Sequence, residues 1–249
     1  EINVTNIPNY AFYKCGYLID LVMSNTVISI GNCAFRECTS LGIAIIPNSV
    51  VLIGASAFLG CTRMTAVTIG DAVTSIGNYA FQNCTELIQV NWNAINVTSY
   101  PTDYGVRPFN GCTNLSTIVF GDSVQTIPLY AFYGFTEITS IIIGNSVASI
   151  GSYAFQNCTG LLQVNWNAVN VTTYPTNTNY HPFNGCSHLS TVIFGNSVQS
   201  IPSNAFCGFA GLFSVTIGNA VTSIGNCAFQ NCSGLTTVNW NAVNITSYL

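Results

Sequence analysis

Apolar residues recur at fixed places in a short unit that repeats along most of this chain. One unit has apolar side chains at Cys61, Met64, Val67, Ile69, Val73, Ile76, Ala80, Phe81 and Cys84. The alternation at Val67 and Ile69 predicts a β-strand, because successive strand residues point to opposite faces. A second short extended segment is predicted at Val73 to Ile76, after the Gly70-Asp71 turn. The pattern therefore favours a mainly β chain with short 3₁₀ turns.

A phenylalanine, usually preceded by alanine, marks the same place in every unit. These markers are Phe12, Phe35, Phe58, Phe81, Phe109, Phe132, Phe155, Phe183, Phe206 and Phe229. Successive markers differ in sequence number by 23, except that Phe109 and Phe183 follow their predecessors by 28. This period is typical of solenoids, whose repeats pack only against their neighbours. We therefore expect residues 1–249 to form one solenoid of ten coils without separate domains, uncapped at its ends. Its core would contain stacked markers roughly 4.8 Å apart.

The two longer units carry tryptophan and a short insertion. They contain Val90-Asn91-Trp92 and Val164-Asn165-Trp166, and a third such run starts at Val238, so the sequence numbers of equivalent positions differ by 74. Aligning Tyr100 with Ile76 places one extra residue before the second extended segment. Trp92, Trp166 and Trp240 occupy the place of Ile69. We favour an interior position for these rings over an exposed aromatic row.

Charge is scarce, and this excludes one class of partner. Only 5% of residues are charged, with four Lys and Arg against eight Asp and Glu. Four basic residues cannot neutralise a run of phosphates, so nucleic acid is not expected as a partner. Apolar runs stay far below the length of about 18 residues that a spanning helix requires, and we expect no membrane span.

Cysteine recurs three residues after the marker phenylalanine. The residues are Cys15, Cys38, Cys61, Cys84, Cys112, Cys158, Cys186 and Cys232, and the two remaining coils hold Phe135 and Phe209 there. Exchange of Cys for Phe indicates a buried apolar site, so we expect a ladder of core thiols. Disulfides between neighbouring coils remain an alternative if the protein is secreted.

Neither metal binding nor catalysis is expected from the cysteines and histidines. Cys-x-x-Cys does not occur, and the two histidines lack zinc spacing. The triplet Cys186-Ser187-His188 superficially suggests nucleophilic chemistry, but the ladder accounts for Cys186 and no carboxylate follows nearby. His181 occupies the place of Arg107 and is interpreted as an ordinary loop residue. The chain is therefore predicted to be no enzyme and to need no cofactor.

The repeat resembles a known family. Residues 146–161 read SVASIGSYAFQNCTGL, which is similar to the BspA-like, treponemal type of leucine-rich repeat. The resemblance implies a right-handed solenoid with a parallel sheet on one face. It also implies a bacterial or protozoan surface protein that acts in adhesion or protein binding rather than catalysis.

Outward positions of the predicted sheet form a flat, neutral, semi-polar surface that could bind protein or glycan. The candidate binding face comprises Gln89, Asn91, Gln163, Asn165, Thr237 and Asn239. It lacks the arginine anchors typical of strong binding hot spots.

Asparagine followed two residues later by Ser or Thr offers glycosylation sites. Such sequons occur at Asn3, Asn83, Asn96, Asn114, Asn157, Asn170, Asn231 and Asn244. We favour Asn3, Asn96, Asn170 and Asn244, which precede the second extended segment where a bulge is expected. Asn83, Asn157 and Asn231 adjoin the cysteine row and are expected to be poorer acceptors.

The leading hypothesis is an extracellular or cell-surface scaffold for adhesion or protein binding, with a protein or glycan partner. The alternative is a structural fibre subunit, because uncapped solenoids can stack head to tail on further copies of themselves. Filaments in native material would favour the fibre, and discrete particles the adhesin.

Overall fold

Strands repeat once or twice in every coil of this mainly β protein. The computed structural model describes residues 5–171, 174–175, 177, 180–243 and 247–248. Contacts divide the chain into two compact units, Glu1–Thr117 and Ile118–Leu249, and each unit holds five marker phenylalanines. The expected fold class, parallel strands stacked in a solenoid, is confirmed. That residues 1–249 form one undivided body stays a prediction.

The first unit contains two parallel sheets. In chain order its strands are β1 (Asn6–Ile7), β2 (Ser29–Ile30), β3 (Ile43–Ile45), β4 (Leu52–Ile53), β5 (Ala66–Ile69), β6 (Ser75–Ile76) and β7 (Gln89–Trp92). The longer strands form the main sheet in the order β7-β5-β3, and the two-residue strands form a second sheet in the order β1-β2-β4-β6. A 3₁₀ helix, Tyr104–Val106, lies in the long coil.

The second unit repeats this arrangement. Its strands are β8 (Thr117–Phe120, starting at the last residue of the first unit), β9 (Thr126–Ile127), β10 (Ser140–Ile143), β11 (Ser149–Ile150), β12 (Gln163–Trp166), β13 (Thr191–Phe194), β14 (Ser200–Ile201), β15 (Ser214–Ile217), β16 (Ser223–Ile224), β17 (Thr237–Trp240) and β18 (Ser247–Tyr248). The main sheet runs β17-β15-β13-β12-β10-β8, and shorter strands pair as β11-β9 and as β14-β16-β18.

Strand register follows the repeat length. Val67 pairs with Val90 one coil later, and Val164 pairs with Val192 across a longer coil. Branched side chains at these positions suit a pleated, half-buried surface, which explains why such short segments form strands. An isolated bridge joins Ser75 to Ser99, one position beyond the residue that the short repeat would place there. The extra residue predicted before the second extended segment is therefore confirmed.

Stacked phenylalanine rings run through the core of each unit. In the first unit the centroids of successive markers are 5.0 to 5.2 Å apart, and Phe81 lies between Phe58 and Phe109. In the second unit the spacing is 5.1 to 6.2 Å. Eight markers are fully buried, whereas Phe12 is 42% exposed and Phe229 is half-buried. Phe12 is less covered because only Phe35 stacks on it among the described residues.

Two left-handed residues bracket the Ala-Phe turn of the short coils. The residue two places after the marker has a positive φ in every coil: Lys14, Glu37, Gly60, Asn83, Gly111, Gly134, Asn157, Gly185, Gly208 and Asn231. Two places before the marker, φ is also positive in the short coils, as at Tyr79 and Tyr153. In the first long coil this residue is Arg107, with an extended φ of −61°. The left-handed region favours Gly and Asn, and their alternation after the marker is a signal that sequence reasoning missed.

Candidate binding face and long coils

Amide side chains on the outward side of the main sheet are held in place by hydrogen bonds. In β7, Gln89 and Asn91 are half-buried, while Val90 and Trp92 are fully buried. Gln89 Nε2 donates to Asn91 Oδ1 at 2.6 Å, and Asn91 Nδ2 donates to Thr68 Oγ1 on β5 at 3.3 Å. These contacts orient the amides across two strands before any ligand binds.

The second unit carries the same pair at the equivalent strand. Gln163 Nε2 donates to Asn165 Oδ1 at 2.9 Å within β12. On β17, Thr237 is half-buried, and the exposed Asn239 donates from Nδ2 to Thr216 Oγ1 at 3.3 Å. The structure thus places two of the six predicted face residues in the first unit and four in the second.

Two isoleucines add an apolar portion to this face in the first unit. Ile43 and Ile45 of β3 are 53% and 61% exposed, whereas Ala44 between them is buried. Sequence reasoning missed both, although the alternation of Ile43, Ala44 and Ile45 is the signal that could have found them. The face of the first unit therefore combines amides with exposed aliphatic surface.

The first long coil encloses a buried arginine. Trp92 is fully buried, with its ring centroid 5.8 Å from that of Tyr100. Arg107 is only 4% exposed and donates from Nε and Nη2 to the carbonyl oxygen of Thr102 at 3.3 and 3.2 Å. Burial raises the pKa of the Tyr100 hydroxyl, and the positive charge of Arg107 partly offsets that rise. A buried guanidinium needs such acceptors, because an unbonded charge is costly to desolvate.

The second long coil places a histidine at the same position. His181 Nδ1 accepts a hydrogen bond from the backbone N–H of Phe183 at 3.1 Å, which leaves the proton on Nε2. Nε2 lies 2.8 Å from the carbonyl oxygen of Ala205 and 2.9 Å from the hydroxyl of Tyr174, which itself donates to Ala205 at 2.9 Å. Burial lowers the pKa of His181 to about 4, against a partial rise from hydrogen bonds to the Ala205 and Asn204 backbone.

The interpretation of His181 as an ordinary loop residue is wrong. Arg107 is 4% exposed and His181 3% exposed, so both are structural residues of the core. In the short coils the residue at this place has a positive φ, as at Tyr79 and Tyr153, whereas Arg107 has an extended φ of −61°. In the long coils the side chain meets a backbone carbonyl, that of Thr102 or Ala205. Sequence reasoning missed this because a polar residue in an insertion is usually solvated.

The three tryptophans of the repeat have different surroundings. Trp166 is fully buried against Tyr174, Phe194 and Phe206, with centroid distances of 5.9, 5.8 and 6.2 Å. Trp240 is 49% exposed and donates from Nε1 to the carbonyl oxygen of Ala242 at 3.1 Å. The interior position favoured from sequence thus describes Trp92 and Trp166 but not Trp240.

The cysteines of the row act as hydrogen-bond donors between coils. Seven thiols donate to the carbonyl oxygen of the marker phenylalanine in the preceding coil at 3.1 to 3.3 Å, namely those of Cys38, Cys61, Cys84, Cys112, Cys158, Cys186 and Cys232. Cys15 is exposed, Cys232 is half-buried and the other six are buried. Burial raises the pKa of Cys38 to about 11 and that of Cys186 to about 12. Such thiols are poor nucleophiles, since the thiolate is the reactive form.

The triplet at Cys186 lacks the geometry of a nucleophile and base. Cys186 is 3% exposed and donates to Phe155. His188 is exposed, with Nδ1 only 2.6 Å from the carbonyl oxygen of Thr159. The imidazole is thus engaged by backbone, while the thiol faces the core.

The described sequon asparagines are exposed at every position. Asn96 and Asn170, the favoured ones, are exposed, whereas Asn3 and Asn244 lie outside the described residues. Asn83, Asn157 and Asn231 are exposed too, so the expectation that they are less accessible than the favoured set is not supported by burial. The Asn157 side chain is nevertheless engaged: it donates from Nδ2 to the Tyr133 hydroxyl at 3.2 Å, and a Cβ on Gly185 would clash with its Oδ1.

Nowhere in the part of the chain that the structure describes do three His, Cys, Asp or Glu side chains gather as metal ligands would. Over the same residues, a helix with the length and apolar character needed to cross a bilayer is not found.

Three solved structures illustrate what this chain is similar to. A leucine-rich repeat protein from Bacteroides ovatus is 24% identical, with 94% of this chain and 76% of that chain covered and a TM-score of 0.41. A leucine-rich cell surface protein from Faecalibacterium prausnitzii is also 24% identical, covering 99% and 74%, with a TM-score of 0.42. TLR13, solved in complex with ssRNA13, is 15% identical over 86% of this chain and 34% of that chain, with a TM-score of 0.51. No curated protein matches the sequence.

A family model decides the relationship. The model of the BspA type leucine rich repeat region, which has six copies of the repeat, matches residues 5–104, 93–178 and 165–248. These matches span nearly the whole chain and include both long coils. The chain therefore belongs to the BspA-type leucine-rich repeat family.

Proposed function

We propose that this leucine-rich repeat scaffold is extracellular or displayed at a cell surface and contributes to adhesion by binding partner proteins through the outward face of its main sheet. Scaffolds of this family are generally non-catalytic and protein-binding. One observation carries the proposal: the same Gln-Asn pair, with the same internal hydrogen bond, stands at equivalent strands of both units.

The chemistry of the pair suits a polar, uncharged portion of a partner. Each Gln amide is oriented by its bond to Asn, so little side-chain entropy is lost when a partner binds. In the first unit, Ile43 and Ile45 supply exposed apolar area beside the amides. A partner surface with backbone amides, hydroxyls and some aliphatic contact would complement this combination.

The test removes the amide pairs and measures adhesion. Gln89→Ala, Asn91→Ala, Gln163→Ala and Asn165→Ala, combined, should weaken binding to a surface coated with basement-membrane matrix about tenfold or more. The matched control is Gln82→Ala with Gln156→Ala, which removes two glutamines from the same two coils away from the main sheet. Equal binding by the quadruple variant and the control would contradict the proposal.

A fibre subunit is the second candidate, favoured by the exposed apolar surface at β17. Val238 and Trp240 are each 49% exposed, although their equivalents Val164 and Trp166 are fully buried. A second copy stacked on this strand would bury them. Electron microscopy and sedimentation velocity should then show filaments that Trp240→Ser shortens or abolishes. Discrete particles of unchanged size in both proteins would remove this candidate.

Glycosylation at the exposed Asn96 and Asn170 forms part of the surface proposal. Secretion from a glycosylating eukaryotic host should add mass that a glycosidase removes. Asn96→Gln with Asn170→Gln should remove the share of that mass that these two of the four favoured sites carry. Persistence of the full added mass in that double variant would place the glycans elsewhere.

A further inference from the structure

Four tyrosines of the second unit form a continuous aromatic platform. Tyr130 and Tyr153, on adjacent coils, stack in parallel with centroids 4.7 Å apart. Tyr133 packs edge-on against Tyr130 at 5.7 Å, and Tyr180 packs edge-on against Tyr153 at 5.6 Å. Tyr180 is 49% exposed and the other three are half-buried. The platform is thus a surface feature rather than part of the core.

The first unit contains the same starting motif, Tyr-Ala-Phe-Tyr, with basic residues placed on it. Tyr10 and Tyr13 pack edge-on at 5.9 Å, much as Tyr130 and Tyr133 do. Lys14 Nζ lies 5.2 Å from the ring centroid of Tyr13, and Arg36 Cζ lies 5.8 Å from it. Both distances are within the range of a cation–π interaction. This tyrosine pair therefore receives its cations from its own unit.

An acidic residue holds those cations in place. Glu37 Oε1 lies 3.2 Å from Arg36 Nε, and Glu37 Oε2 lies 3.8 Å from Lys14 Nζ. The cluster on Tyr13 is therefore an aromatic ring, two cations and one carboxylate, all from adjacent coils. Its charges are largely compensated within the unit.

The second unit keeps the rings and replaces all three charges. Gly134 stands at the place of Lys14, Gln156 at that of Arg36 and Asn157 at that of Glu37. Asn157 Nδ2 donates to the Tyr133 hydroxyl at 3.2 Å. Tyr153 replaces Cys33 and stacks on Tyr130, which widens the aromatic surface. The unit as a whole contains no Lys or Arg and has two acidic residues, Asp122 and Glu137.

We propose that this tyrosine platform binds a basic segment of a partner protein, whose arginine or lysine side chains take the role that Lys14 and Arg36 have in the first unit. The ring quadrupoles attract a cation at their faces, and arginine also stacks its planar guanidinium on them. The two acidic residues of the unit add a weak attraction of the same sign. Tyrosine is also among the residues that dominate binding energy at protein interfaces.

The proposal is independent of the sheet-face function. It concerns the turn beside the marker phenylalanines, whereas the amide pairs lie on the main sheet. Loss of the amide pairs should leave binding at the platform unchanged. Failure of one proposal therefore leaves the other standing.

The test compares two peptides that differ in charge. The probe is acetyl-Gly-Ser-Arg-Gly-Ser-Arg-Gly amide, and its partner has citrulline, a neutral isostere, in place of both arginines. Ring signals of ¹³C-labelled tyrosine report binding to the whole protein. We expect the arginine peptide to shift the signals of Tyr133, Tyr153 and Tyr180 and to bind about fivefold more tightly than the citrulline peptide.

Variants separate the rings from general charge attraction. Tyr133→Leu, Tyr153→Leu and Tyr180→Leu should each weaken binding of the arginine peptide about two- to fivefold, while Tyr180→Phe, which keeps the ring face, should bind it about as tightly as the unchanged protein. Tyr17→Leu, at a 97% exposed tyrosine of the first unit, is the matched control and should have no effect. If Tyr153→Leu impairs folding, the peptide affinity of the variant at the exposed Tyr180 is sufficient to test the proposal.

Three results would overturn the proposal. The first is equal binding of the arginine and citrulline peptides. The second is full loss of binding in Asp122→Asn with Glu137→Gln while the tyrosine variants bind normally, which would mean simple charge attraction. The third is a platform that binds a neutral oligosaccharide, such as cellohexaose, but neither peptide.

Discussion

The two long coils are copies of one design, and among their described residues from one marker phenylalanine to the next the buried positions differ in residue type at one place. Each has a tryptophan fully buried in the main sheet and a tyrosine ring 5.8 or 5.9 Å from it. Two residues before the marker phenylalanine, the first coil has Arg107 and the second has His181, and both are at least nine-tenths buried. The insertion therefore requires a buried hydrogen-bond donor at this point, but it does not require a charge.

Both donors bond to backbone carbonyl oxygens. Arg107 bonds to Thr102, five residues earlier in the same insertion. His181 and Tyr174 both bond to Ala205, which belongs to the following coil. The guanidinium thus has an acceptor within its own insertion, and the imidazole has one in the following coil. Because Arg is charged at every accessible pH and His is not, only the second arrangement depends on pH.

The largest loss of stability should come from removing the tryptophan that both long coils contain. Trp166→Ala should lower the free energy of unfolding by about 3–5 kcal/mol, because it leaves a cavity lined by Tyr174, Phe194 and Phe206. Chemical denaturation followed by circular dichroism measures the loss.

Trp240→Ala is the matched control, since the same repeat position there is 49% exposed. Its cost should be about 1 kcal/mol or less, as for partly exposed side chains in general. Similar losses of unfolding free energy in the two variants would mean that burial of the tryptophan ring does not stabilise the long coil.

The second largest effect should be a dependence of stability on acidic pH, which arises in the second long coil and not in the first. His181 has a pKa of about 4 when folded, against an ordinary value of about 6.5. Between these values the unfolded chain binds a proton that the folded chain does not, so the free energy of unfolding falls as the pH falls. The slope is up to about 1.4 kcal/mol per pH unit and the total about 3 kcal/mol, levelling off below about pH 4. Denaturation curves at pH 7, 5.5 and 4.5 measure it.

Subtraction isolates the histidine from the carboxylates, which also titrate in acid. The quantity of interest is the pH dependence of the unchanged protein minus that of His181→Gln. We expect His181→Gln to lose most of the slope between pH 6.5 and 4.5 and Arg107→Gln to retain it. An identical slope in all three proteins would show that His181 is accessible to protons in the folded state.

The repeat itself was readable from sequence, because a period-2 apolar pair, a turn and an Ala-Phe marker recur in phase. That phase predicted the stacked rings around Phe81 and the extra residue before Ser99, since both depend only on counting along the chain. The burial of Arg107 and His181 was not readable. It depends on a hydrogen bond to a backbone carbonyl that each side chain can reach only in the folded insertion. No pattern in the sequence indicates that contact.

The platform of tyrosines illustrates the same limit. Tyr130, Tyr133 and Tyr153 are near one another in sequence, but Tyr180 reaches Tyr153 only because its coil carries the insertion. Propensity describes each residue alone, whereas the surface arises from one coil lying on the next. A binding surface of this kind therefore cannot be predicted from a single repeat, because it forms from contacts between coils.

The smallest effect concerns a feature that the two long coils share. Cys112 donates to Phe81 at 3.1 Å and Cys186 donates to Phe155 at 3.2 Å, and each is 3% exposed. Cys112→Ala and Cys186→Ala should each cost about 1–2 kcal/mol, from one lost hydrogen bond and a small cavity. Cys227→Ala, at an exposed cysteine off the ladder, should cost almost nothing. A markedly larger loss for Cys186 than for Cys112 would mean that the thiol and the hydrogen bonds of His181 act together. Equal losses would make the ladder a property of the repeat alone.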